Sequence, residues 1–130
     1  MTTNARARLT FVALALGTIA LGLWVRGTDT LGAVARDVLG DALWAMMIAW
    51  WIGALTPRSG LAARNGVAFG ICLLVELSQL IHTPSLDAVR ETTMGRLVLG
   101  SGFDPRDIAA YALGVAVAGG SERATRVRGV

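Results

Sequence analysis

From Gly66 to Ile81 the chain reads GVAFGICLLVELSQLI, an apolar run that carries one ionisable residue, Glu76, and one amide, Gln79, towards its far end. Such a run is a candidate membrane span. A carboxylate inside it must face protein or a water-filled cavity, because exposure to lipid costs several kcal/mol. In alternating steps of four and three, Asn65, Phe69, Cys72, Glu76, Gln79 and Thr83 fall on one helical stripe. Glu76 then lies roughly 9 Å of helix short of His82, the expected end of the span. Glu76 is either a functional group or an interhelical hydrogen-bonding acid, and the sequence leaves both open.

Three further runs flank this one. Residues 9–25 contain no charge and follow Arg6 and Arg8. No small-residue cleavage pattern precedes Arg26, so the expectation is an uncleaved signal-anchor helix. Ala13 and Gly17, four apart, offer it a surface for close helix approach. Residues 38–55 hold Trp44, Trp50 and Trp51 and stop before Pro57. The last run is the shortest, and its helix is expected over 105–120: Asp104 suits the N-cap, Pro105 the first helical position, and Asp107 the third. That helix would rise roughly 24 Å, against a hydrocarbon core of roughly 30 Å. Ala110, Gly114 and Ala118 repeat every four residues along it and predict tight packing on a partner.

The predicted fold class is therefore an all-α integral membrane protein with four transmembrane helices, over 9–25, 38–55, 66–82 and 105–120. These form a single membrane domain, 1–130, with a mobile basic tail at 121–130. A short interfacial or re-entrant helix is expected between the third and fourth spans, where Leu86, Val89, Thr93 and Leu97 share helical spacing and Gly100, Ser101 and Gly102 supply a turn.

Composition agrees. Of 130 residues, 54% are apolar and 16% charged, with a mean hydropathy of +0.58, which leaves too little polar surface for a small soluble domain. All 12 basic residues are Arg, a bias in keeping with a bacterial source. They sit singly or in small groups at the ends of the runs and form no basic stripe interleaved with aromatics, so no nucleic-acid partner is expected. Cys72 is the only cysteine and His82 the only histidine, and no metal or other cofactor is expected. With four spans the termini share a side that carries seven Arg against five opposite, which favours both termini in the cytoplasm of a bacterial inner membrane. Seven of the nine acids (Asp29, Asp37, Asp41, Asp87, Glu91, Asp104 and Asp107) fall on the opposite, outer side, and Glu122 alone falls with the termini.

The candidate polar cluster lies on that outer side. Asp41 opens the second helix, with Asp37 one turn earlier as the better helix-start residue. Asp107 opens the fourth, where a carboxylate also suits the helix dipole. Tyr111 lies one turn deeper on the same face, as a packed aromatic or a functional phenol. Arg90 and Arg96 can pair with Glu76, Asp41 or an anionic ligand, or can snorkel to headgroup phosphates.

At this point a resemblance enters. Gly40-Asp41-Ala42-Leu43-Trp44, then Val75-Glu76-Leu77-Ser78-Gln79-Leu80, then Asp87 with Arg90, then Gly95 to Gly100 with Gly102-Phe103, then Asp107 with Ala110-Tyr111 and Gly114, resemble an uncharacterised bacterial family of small multi-span membrane proteins catalogued as a domain of unknown function. The likeness covers roughly residues 10–120. More distantly, the order of Glu76 and Gln79, an Arg in the following loop and Asp107 is similar to VanZ-like proteins, although Ala110 stands where that group usually has Asn. The resemblance implies that Asp41, Glu76, Gln79, Arg90, Asp107 and Tyr111 act together at one site.

The site offers no activated nucleophile and no HExxH or GxSxG motif. The favoured expectation is a non-enzymatic module that binds a lipid headgroup, a cell-envelope precursor or another amphiphile in an outer-side polar cavity. An envelope-modifying enzyme using Glu76 with Asp107 or Asp41 is the alternative. A proton-coupled small transporter is a third, and it would require an oligomer, which the sequence leaves open. Membrane lipids are the expected partners.

Overall fold

The computed structural model of the chain describes residues 3–99 and 104–128. Every element among the described residues is a helix: α1 Thr3–Gly27, α2 Ala33–Leu55, α3 Leu61–Ser78, α4 Pro84–Glu91, α5 Thr93–Leu99 and α6 Pro105–Arg128. Three of them, α1, α2 and α3, are long and apolar enough to cross a membrane. The chain is thus an all-helical membrane protein. The fourth expected span corresponds to α6, whose apolar stretch is short because Arg106 and Asp107 lie in its first turn and Glu122 and Arg123 in its far end.

The helices exceed the apolar runs because backbone hydrogen bonds, not hydropathy, set their ends. α1 begins at Thr3, through Arg6 and Arg8, and α2 begins at Ala33 rather than near Val38. Asp37 is therefore not the start of α2, and Asp41 lies about two turns inside it. α2 stops where the Thr56 N–H donates to the Ile52 carbonyl (2.9 Å) and Pro57 follows.

α3 ends earlier than expected. At Gln79, Leu80 and Ile81 the backbone N–H groups donate to the carbonyls three residues back, at 3.0 to 3.1 Å, so the last turn tightens and the helix stops. The connection that follows holds two short helices. The Thr83 hydroxyl caps α4 by accepting from the Leu86 N–H (3.2 Å), with Pro84 at the first helical position. Residues 100–103, with the expected Gly100-Ser101-Gly102 turn, lie outside the described residues, as does the side chain of Leu97.

α2 is the centre of the bundle: α1, α3 and α6 all pack on it, and α3 also packs on α6. α2 and α6 approach one another backbone to backbone. A Cβ on Gly114 would run into the main-chain carbonyl of Ala42, so only glycine fits there. Ala110 and Ala118, one turn to either side, are buried on the same face. On α1 the close-approach face is not Ala13 and Gly17, which are exposed; Phe11, Ala15, Thr18 and Val25 are buried instead. The outer surface is apolar, with Leu16, Trp24, Leu74 and Leu113 each more than half exposed (55%, 61%, 69% and 53%), as lipid contact requires.

At the end of the bundle where the chain begins, Arg64 is 3% exposed and donates through both terminal nitrogens to the Glu122 carboxylate, with Nη1 to Oε2 at 3.2 Å. Its guanidinium also lies 5.2 Å above the Phe11 ring, and Phe11 packs against Trp50. α6 runs helical through Arg128, past the end expected at residue 120, and the Arg64–Glu122 pair ties this stretch of α6 to α3.

Candidate functional site

The opposite end of the bundle holds the polar cluster. Glu76 is wholly buried on the last turn of α3. Its Oε1 accepts the Asp104 backbone N–H (2.8 Å), and its Oε2 accepts the Tyr111 hydroxyl (2.9 Å) and the Gln79 side-chain amide (3.2 Å). Gln79 and Tyr111 are each 4% exposed. The carboxylate is therefore surrounded by protein donors from α3 and α6.

The Asp104 N–H is an orphan donor at the start of α6. Asp104 itself is the N-cap: its Oδ1 accepts the Arg106 N–H at 2.9 Å, as the sequence predicts. In a capping box, the acid three residues into the same helix would accept the N-cap N–H. Here Glu76 does so from another helix, which leaves Asp107 at that third position free to turn towards α2. The Arg106 guanidinium, bonded to Asp104 at 3.0 and 3.2 Å, holds the half-buried Asp104 carboxyl below the usual carboxylate range.

Asp107 and Asp41 face one another across the α2–α6 contact, close enough for their charges to interact. Arg26, on the last turn of α1, approaches Asp41 from the other side at 3.8 Å. Glu76 and Tyr111 lie close enough for their electrostatics to couple with Asp41 and Asp107. Five of the six predicted residues, Asp41, Glu76, Gln79, Asp107 and Tyr111, thus come together at one end of α2, α3 and α6.

Arg90 lies beside this group but does not pair with Glu76. It is 8% exposed and ties off the end of α3, with Nη2 donating to the Ser78 carbonyl (2.8 Å) and Nη1 to that of Ile81 (2.9 Å). Its Nη1 also reaches Asp87 at 3.5 Å, and its buried Nε has no hydrogen-bond partner among the described residues. Arg90 forms one wall of an open polar pocket of about 550 Å³ whose other walls are His82, Asp87, Glu91 and Arg96. His82 and Asp87, 3.4 Å apart, had no role in the sequence-derived set, nor had Arg26. The legible signal for the first pair was their position just outside a span that ends in acid. Among the described residues no group of three or more His, Cys, Asp or Glu side chains is placed to hold a metal ion.

A helical bundle with three membrane-length apolar helices and a buried polar knot at one end defines an integral membrane protein. More particularly, the chain belongs to the family described as "Protein of unknown function (DUF2809)", which it matches over residues 30–115. That segment runs from just before α2 into α6 and contains all six predicted site residues. No solved structure matches the chain.

Proposed function

We propose that this protein is a membrane module that holds the polar head of a lipid, a cell-envelope precursor or another amphiphile in the pocket walled by His82, Asp87, Arg90, Glu91 and Arg96. The observation that carries this reading is that two guanidinium groups, Arg90 and Arg96, line one open polar pocket of about 550 Å³. A phosphate or carboxylate oxygen there would accept from the exposed Arg96, with the Arg90 charge beside it and the His82 ring able to add a donor N–H. Glu76 takes a positioning role: by holding Tyr111 and the start of α6 to α3, it keeps the end of α3 where Arg90 grips it.

In this reading α6 is the fourth span, α4 and α5 lie in the interface between the third and fourth, and the Arg bias puts both termini on the cytoplasmic side of a bacterial inner membrane. The distant VanZ-like order of Glu76, Gln79, Arg90 and Asp107 is in keeping with a cell-envelope ligand. The test is the lipid retained by the purified full chain, identified by mass spectrometry. Arg96→Gln, at an exposed position, should cut retention of a specific species about tenfold or more with unchanged thermal unfolding. An identical lipid complement in wild type and variant would overturn the proposal.

A second reading, an envelope-modifying enzyme, gains from the facing carboxyl groups of Asp41 and Asp107. Two acids this close can divide acid and base roles. Glu76, enclosed by protein donors, is not the acid to assign here. Turnover of a lipid-linked precursor by purified protein, lost in Asp107→Asn, is the result that would favour this reading over binding alone.

A further inference from the structure

A second cavity lies on the lipid-facing side of the bundle, between α1 and α2. It is a groove of about 460 Å³ walled by Thr18, Ile19, Leu23, Leu43, Trp44 and Met47, with Gly22 in its floor, Met94 of α5 beside it, and Arg26 with Gly40 at one end. The volume is within the range of about 300–1,000 Å³ usual for small-molecule sites. From Thr18 to Arg26 the groove follows roughly 12 Å of helix. Thr18 adds little polarity, since its hydroxyl donates to the Leu14 carbonyl at 2.7 Å.

The charged end is built rather than incidental. The Arg26 guanidinium lies flat against α2 at Gly40, where a Cβ would stand 3.1 Å from Nη2, so the absence of a side chain makes its seat. A guanidinium carries five N–H donors, yet among the described residues Arg26 makes no hydrogen bond. Among the described residues its one ion pair, to Asp41, is long at 3.8 Å. An apolar trough that ends in a seated cation with unused donors is complementary to an apolar chain that ends in an anion.

We propose that this groove binds one long-chain fatty acid, its carboxylate on Arg26 and the adjoining part of its chain against Leu43, Trp44 and Met47. A single guanidinium matches a single carboxylate bidentately, and a trough one helix pair wide suits one chain rather than two. The site is separate from the Arg90 pocket, and neither proposal depends on the other.

The experiment is native mass spectrometry of the detergent-solubilised full chain titrated with oleate, and separately with methyl oleate, which keeps the chain and removes the charge. The expected result is one saturable oleate adduct and no methyl oleate adduct. Arg26→Gln should weaken oleate binding by at least about tenfold. Gly22→Leu, which fills the floor one turn from Arg26 and keeps the guanidinium, should abolish the adduct, so the test survives if Arg26→Gln fails to fold. Arg96→Gln, in the other pocket, should bind oleate as wild type does. Equal binding of acid and ester, adducts that accumulate without saturating, displacement by a diacyl lipid in preference to oleate, or wild-type binding by Gly22→Leu would each overturn the assignment.

Discussion

The Tyr111 hydroxyl donates to the buried carboxylate of Glu76 at 2.9 Å, joining α6 to the end of α3. Through its other oxygen the same carboxylate takes the first main-chain N–H of the α6 cap. One acid thus satisfies donors that neither α3 nor the connection after it could otherwise serve. Tyr111→Phe removes only the hydroxyl and should lower stability by about 1–3 kcal/mol, since a buried acceptor loses a partner. Thermal unfolding in detergent measures this, and a variant as stable as wild type would show that water replaces the phenol.

Glu76→Gln tests the same knot from its centre. Its amide keeps the size, but with its oxygen on the Asp104 N–H its NH2 meets the Tyr111 hydroxyl and the Gln79 amide, both of which must turn from donor to acceptor. The loss should exceed that of Tyr111→Phe, and the protein should expose the start of α6. Faster amide hydrogen exchange at Asp104 to Asp107, with exchange near Arg64 unchanged, is the expected pattern.

Much of this arrangement was legible in the sequence, and the reasons for the remainder are physical. A carboxylate in an apolar run has to be enclosed, so Glu76 identified itself. Its stripe-mate Gln79 followed from helical spacing, as did the buried face of Ala110, Gly114 and Ala118 on α6. Arg90 was selected as a partner for an acid, yet its hydrogen bonds go chiefly to carbonyls of Ser78 and Ile81. Charge says where an Arg is attracted, but the free carbonyls of a helix end compete for it and leave no sequence signal. Ala13 and Gly17 show the opposite limit: small residues permit close packing, and only the path of α2 decides that Ala15 and Thr18 are used instead.

That contrast yields a paired prediction. Gly114→Ala places a methyl against the Ala42 carbonyl, where backbone must move to make room, and should cost about 1–3 kcal/mol or more. Gly17→Ala meets nothing within 4 Å and lies inside α1, where alanine is the better helix former by about 1 kcal/mol. It should be neutral or stabilising. Thermal unfolding of the two variants side by side is the measurement, and equal effects would contradict the α2–α6 packing described.

Arg90→Lys should separate the two roles of Arg90. A lysine keeps the charge but, as a point cation, cannot hold the Ser78 and Ile81 carbonyls together in the fixed fork of a guanidinium. The end of α3 should loosen, and hydrogen exchange at Gln79 to Ile81 should accelerate several-fold while global unfolding shifts little. Unchanged exchange there would mean that the tightened backbone turn alone ends the helix.

The Arg64–Glu122 pair makes a claim about the other end of the bundle. Arg64 is 3% exposed and its partner's side chain 11%, so removing one member strands a charge in a site with little water. Glu122→Gln and Arg64→Gln should each destabilise by about 3–5 kcal/mol, as broken buried pairs do, whereas exposed pairs give about 0–1 kcal/mol. The double variant should recover part of that loss, because neither charge is then left alone. A double-mutant cycle on unfolding free energy reads the coupling directly. A coupling near zero would mean that Glu122 does not hold α6 to α3, and helical structure beyond Ser121 would then need another cause. A clear coupling, together with greater protease sensitivity after Ser121 in the single variants, would establish that this ion pair is what extends α6 past its apolar run.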